Sequence, residues 1–132
     1  MSAVGTIYTW GYGRERPRHA AREAVEAAGY LYNPLIVDIR RSRRSRNPHW
    51  NALQDPFFFS GMVWARALGN GAHSSKWVRL DSAGEDLEFL SDRLRMPQAI
   101  CLVCCETDWR RCHRRHVADE LARMTGAEVV HL

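Results

Sequence analysis

Four short apolar runs, separated by segments of helical periodicity, constrain the fold of this chain more than any other feature. They are Ile7–Tyr12, Leu35–Ile39, Ala99–Cys104 and Glu128–His131. Leu35–Ile39 is nearly all apolar and rich in branched residues, the composition of a strand covered on both faces. Ala99–Cys104 is the most hydrophobic stretch and is expected to be the central strand. Strands of this kind need helices on both sides of the sheet. The expected fold is therefore α/β, with a mainly parallel sheet of about four to five strands sandwiched by helices.

The intervening segments supply those helices. Pro17 suits a first helical turn, and Arg18–Ala28 follows with Ala21, Val25 and Ala28 on one face, stopped by Gly29. A second helix is expected within Pro56–Leu68, broken by Gly69-Asn70-Gly71, and a third over Glu85–Arg95, closed by Pro97. Asp108 is placed to cap a last helix over Trp109–Met124, which Gly126 ends. Arg40–Asn51 reads as a polar loop, and Lys76–Leu80 fits a short strand or an extended connection equally well. There is no repeat, low-complexity tract or dividing linker, so residues 1–132 are expected to form one domain.

Charge is unevenly distributed. Lys76 is the only lysine, so 18 of the 19 cations are arginine, a bias that function or codon usage would produce alike. Residues 1–50 carry nine arginines and four acids, a net of +5; the remaining ten cations and eleven acids give −1. Arginine grips phosphate and carboxylate through a flat, bidentate fork. A basic half thus points to an anionic partner. No apolar run approaches the roughly 18 residues of a membrane span, so no membrane partner is expected. The N-terminus lacks the basic and apolar regions of a signal peptide, and a cytoplasmic location is expected. The four cysteines, Cys101, Cys104, Cys105 and Cys112, lie within twelve residues. In a reducing compartment they are not expected to form a disulfide framework. Metal ligation, a reactive thiol and packing stay open for them.

In open α/β sheets, ligands bind beyond the carboxyl ends of the strands. Three such ends carry unusual polar chemistry, and they are expected to converge on one pocket. The first is Tyr12-Gly13-Arg14, offering a phenol, a closely approachable backbone and a guanidinium. The second runs from Asp38 to Asn51, with five arginines (Arg40, Arg41, Arg43, Arg44 and Arg46) in seven residues, then Asn47, His49 and Trp50. Asp38, at the end of an apolar strand, needs a cationic partner that Arg40 or Arg14 would supply. Trp50 and His49 offer surfaces for stacking on a base or a guanidinium. A charge run of this kind is also what a solvated surface loop looks like.

The third end, from Cys104 to Arg114, is the richest. A helix opening there favours an anion and lowers the pKa of a nearby thiol such as Cys112. His113 lies four residues before Val117, on the apolar stripe Val117, Leu121 and Met124, and so points inward; Arg110 and Arg114 lie one turn away. The bland alternative is that the cysteines pack, His113 steadies the loop and Glu106 pairs with an arginine. Cys105 and Arg111 match a Cys-x₅-Arg phosphate loop by count only: Glu106 and Asp108 would repel phosphate and the loop has no glycine. Zinc on Cys101, Cys104, Cys112, His113 and His116 is disfavoured. Residues three apart on a strand face opposite ways, and adjacent helical residues diverge by about 100°. No metal and no cofactor is therefore expected.

Together these segments resemble the family grouped as domain of unknown function 488, found in bacteria, archaea and phages. The resemblance rests on Tyr8-Thr9-Trp10-Gly11-Tyr12-Gly13, on Asp38-Ile39-Arg40, and on Ser45-Arg46-Asn47-Pro48-His49-Trp50-Asn51. It continues through Leu68-Gly69-Asn70, then Cys104-x-Glu106-x-Asp108 with Cys112-His113-Arg114, and ends on Val129-Val130-His131-Leu132. Trp10, Trp50 and Cys105 depart from the family's usual residues, and the segment 70–84 is shorter. The resemblance implies an α/β fold and a polar site built from these motifs, but no activity.

The expected function is binding of a phosphate-bearing ligand, a nucleotide or nucleic acid, in an Arg-rich pocket. Tyr12, Gly13, Arg14, Asp38, Arg40, Arg43, Arg46, Asn47, His49 and Arg114 are the candidate ligand-binding residues. A hydrolase or transferase acting on that ligand would use Glu106 as general acid or base and His113 to position or polarise the reacting group. Cys104 or Cys112 would be the nucleophile. The alternatives are a non-catalytic nucleic-acid-binding module and a small-ligand-binding domain.

Overall fold

The computed structural model describes residues 4–30, 32, 34–40, 45–51, 62–65, 68 and 84–132. Its sheet has five strands in the order β3-β2-β4-β1-β5: β1 (Ile7–Gly11), β2 (Leu35–Asp38), β3 (Met62–Trp64), β4 (Ile100–Cys104) and β5 (Val129–His131). Every pairing is parallel. The helices are α1 (Ala20–Ala27), α2 (Gly84–Arg95) and α3 (Arg114–Thr125). Among the described residues no helix is long and apolar enough to cross a membrane.

Strand alternation sorts the core into two layers. Ile7, Val37, Ile100, Leu102 and Cys104 face one side, where Leu90 and Leu94 of α2 and Val117, Ala118 and Leu121 of α3 cover them. Tyr8, Trp10, Ile36, Cys101 and Val103 face the other, against Ala21 and Val25 of α1 and the ring of Trp50. All five residues of β4 are buried, as expected of the central strand.

Part of one interval expected to be helical is a strand, while its residues 56–61, 66 and 67 lie outside the described residues. Residues 62–64, inside the interval expected to be helical, form β3 and pair with β2 from Ile36↔Met62 to Asp38↔Trp64. Val63 and Trp64 suit an extended backbone, and the open edge of β2 offers it hydrogen-bond partners, so pairing overrides a periodicity-based reading. Residues 52–61 and 69–83, which include the Gly69-Asn70 turn and Lys76–Leu80, lie outside the described residues.

The last helix is also divided. Asp108 caps a short 3₁₀ turn at Trp109–Arg111 by accepting a bond from the Arg110 N–H. Cys112 is then extended (φ −111°, ψ 143°), and α3 begins only at Arg114. Gly126 ends α3 in the left-handed region (φ 76°), where a glycine carries no Cβ penalty.

Candidate functional site

Because β2, β4 and β1 are adjacent and parallel, their carboxyl ends lie along one edge of the sheet. The backbone links them: the Tyr12 N–H donates to the Cys104 carbonyl (3.1 Å), Gly13 N–H to Cys105 (2.9 Å) and Ile39 N–H to Val103 (3.1 Å). Gly11 permits the closest approach, since a Cβ there would overlap the Glu106 carbonyl oxygen.

At the end of β2, Asp38 and Arg40 form a buried, bidentate pair, with Nε–Oδ1 at 2.9 Å and Nη2–Oδ2 at 2.7 Å. Arg40 Nη1 also donates to the Trp50 carbonyl (2.6 Å) and to the Tyr12 hydroxyl (3.1 Å). Burial pulls the guanidinium towards neutrality, but the bond and charge of Asp38 raise its pKa above the ordinary value. Burial likewise pushes the Tyr12 phenol up, opposed by Arg40. Tyr12 stacks on Trp50 at 4.7 Å between ring centroids, and Trp50 is wholly buried. The surface expected for stacking on a base is thus spent on Tyr12 and the Arg40 guanidinium inside the protein. Asn47 is buried as well: its Oδ1 accepts from His49 N–H (3.0 Å), and its Nδ2 donates to the Arg16 carbonyl (2.9 Å). The Trp50 indole donates to the same carbonyl (3.0 Å), so Arg16, which sequence reasoning passed over, anchors this loop.

Arg14, Arg46, His49 and Glu106 are exposed. The Glu106 carboxylate accepts one bond, from the Asp108 N–H (3.2 Å). Arg110 Nε pairs with Asp108 (3.1 Å), which holds that carboxyl below its usual range. Arg43 lies outside the described residues.

Arg114 is wholly buried. Its Nη1 donates to the Cys104 sulfur (3.3 Å) and to the Glu106 carbonyl, and its Nη2 to the Thr107 carbonyl (3.1 Å). Its Nε has no hydrogen-bond partner among the described residues. Burial lowers its pKa to about 10. A signal for this was present: Arg114 lies three residues before Val117, on the core stripe of α3.

The expectation of unpaired thiols is corrected. Cys104 and Cys112 are joined as a disulfide, with Cα atoms 7.6 Å apart, while Cys101 and Cys105 are free. The chain returns over the end of β4 because the 3₁₀ turn and the extended Cys112 reverse it before α3 begins. His113 points inward, as its stripe position implied. Its Nε2 bonds the Ile39 carbonyl (3.0 Å), and its Nδ1 lies 3.8 Å from the Cys112 sulfur. Burial holds its pKa below the ordinary value, so the ring is neutral near pH 7.

The family model described as Domain of unknown function DUF488 matches residues 23–121. The chain belongs to this family. The match opens within α1 and closes within α3, so it spans the Asp38-Ile39-Arg40 and Cys104–Arg114 motifs of DUF488. The Tyr12-Gly13-Arg14 segment and β5 lie outside it. No curated protein and no solved structure matches the chain.

Proposed function

We propose that the carboxyl edge of the sheet binds a phosphate-bearing ligand, a nucleotide or a nucleic-acid strand, and that Glu106 acts on it as general acid or base. One observation carries this reading. Arg14, Arg46 and Arg111 follow three adjacent strand ends, are exposed, and make no side-chain hydrogen bond or ion pair among the described residues. Cations left uncommitted on one edge are what a multivalent anion requires. Arg40 and Arg114 support the walls of that edge instead. Glu106 is an exposed carboxylate in the turn directly after β4, with no ion pair among the described residues. His113 serves as a positioning residue, its Nε2 committed to the Ile39 carbonyl.

The test is a mass-spectrometric screen of the purified protein with pooled nucleotides, single-stranded DNA and RNA, beside Glu106→Gln. The expected result is a product with wild type, none with the variant, and binding retained by both. Replacing Arg14, Arg46 and Arg111 by Gln is expected to lower affinity and to reduce the salt slope by roughly one per lost phosphate contact. Affinity unchanged in that triple variant, or a product made equally by Glu106→Gln, would overturn the assignment.

A further inference from the structure

We infer that the reduced protein holds one thiophilic divalent cation, of which Zn²⁺ is the type, on Cys104, Cys112 and His113. Two thiolates and an imidazole are the donor set that selects zinc over the hard cations magnesium and calcium. The three ligand atoms already lie within 4.8 Å of one another. On a continuous helix Cys112 and His113 would diverge and could not share an ion. Here Cys112 is extended and His113 precedes α3, so both side chains meet Cys104 at the end of β4. Cys101 faces the opposite core layer and takes no part.

Two further observations point to a ligand here. The first is the orientation of His113. Donation from Nε2–H to the Ile39 carbonyl leaves Nδ1 as a lone pair directed at the sulfurs, and a backbone carbonyl on the far nitrogen is how ligating histidines are held. The second is the environment of the sulfurs. Arg114 donates to both, from Nη1 to Cys104 (3.3 Å) and from its backbone N–H to Cys112 (3.5 Å). Such bonds and a buried positive charge stabilise thiolates. The Cα separation of 7.6 Å also exceeds the usual disulfide span of roughly 4.4–6.8 Å. A cation bonded to each sulfur at about 2.3 Å suits the wider span. Three protein ligands leave a fourth position for water or a ligand group.

The metal form requires reduction. A dithiol delivers two electrons and two protons to the Cys104–Cys112 bond, giving two thiols and becoming a disulfide itself. Metal binding then releases both thiol protons. In the test, the full chain is reduced with a water-soluble phosphine, which takes oxygen from one water and becomes the phosphine oxide. Co²⁺ is then titrated in, and Zn²⁺ is added in competition. One equivalent of Co²⁺ with thiolate-to-cobalt charge-transfer absorption is expected, bleached by Zn²⁺. His113→Gln is expected to weaken binding at least about tenfold, and Cys105→Ser to leave it unchanged. In wild type alone, Zn²⁺ is expected to protect Cys104 and Cys112, but not Cys105, from alkylation mapped by peptide mass. This keeps the test decisive should Cys104→Ser or Cys112→Ser fail to fold. No thiolate band at one equivalent, alkylation indifferent to Zn²⁺, or a Cys104–Cys112 bond that resists the phosphine would each overturn the site.

Discussion

Removing either partner of the Asp38–Arg40 pair is expected to be among the most damaging single changes available in this protein. The side chains are 0% and 6% exposed, so neither charge has water to fall back on. Arg40 alone ties three parts of the fold: β2 through Asp38, the loop after it through the Trp50 carbonyl, and the end of β1 through the Tyr12 hydroxyl. Were the pair a surface one, its loss would cost about 0–1 kcal/mol. Buried and broken on one side, it is expected to cost about 3–5 kcal/mol, because the remaining charge is uncompensated. Against a domain stability of roughly 5–15 kcal/mol, that is a large share. It corresponds to a fall in Tm of roughly 10–20 °C at this chain length.

The assay is urea unfolding of Asp38→Leu, Arg40→Met and the double variant, followed by circular dichroism. Each single variant is expected to lose about 3–5 kcal/mol, and the double variant less than the sum of the two. Losses of about 1 kcal/mol or less, adding without coupling, would refute the buried-pair account and mean that water reaches Arg40.

Gly11→Ala is expected to destabilise severely, since its Cβ meets the Glu106 and Thr107 backbone rather than a flexible side chain; soluble protein with an unchanged Tm would refute this. Leu102→Ala, at the centre of β4, is expected to cost about 2–5 kcal/mol in the same urea assay, and a loss below about 1 kcal/mol would mean that the two layers collapse around it. Burial lowers the pKa of both His113 and His131. Unfolded, both bind protons near pH 6.5; folded, they do so only at lower pH. Their contribution to stability is therefore full above about pH 6.5 and is lost as pH falls through the folded values. Thermal melts are expected to show Tm falling from about pH 7 to pH 5, less steeply in His113→Gln; a Tm that rises on acidification would contradict it.

Much of the fold was legible because it is written in long-lived patterns. Apolar runs at Leu35–Ile39 and Ala99–Cys104 name buried parallel strands, and the order of the segments names the edge on which Tyr12, Asp38 and Cys104 emerge. Asp38 announced its need for a cation, and Arg40 supplies it. What stayed hidden was set by contacts distant in sequence. β3 forms because β2 has an edge to share, which no local periodicity records. Trp50 looked like a surface platform because its neighbours are polar, yet it packs beneath Arg40 and against Tyr12, 38 residues earlier. The break at Cys112 was hidden because Asp108 is a good cap for an α-helix and for a 3₁₀ turn alike.

Arg40 and Arg114, both buried, differ in what meets their charge. Arg40 meets a carboxylate squarely and closes the end of β2. Arg114, equally buried, meets two carbonyls and a sulfur, keeps an unsatisfied Nε, and has no carboxylate within ion-pair distance among the described residues. Burial disfavours the charged guanidinium and holds its pKa at about 10, against the pull of Cys101, Glu106 and Asp108. The Cys104 sulfur accepts from its Nη1 and the Cys112 sulfur from its backbone N–H. As a disulfide these sulfurs carry no charge; as thiolates they would add negative charge beside Arg114. Reduction thus adds negative charge beside a buried cation, in the same state that accepts a divalent cation under the proposal above.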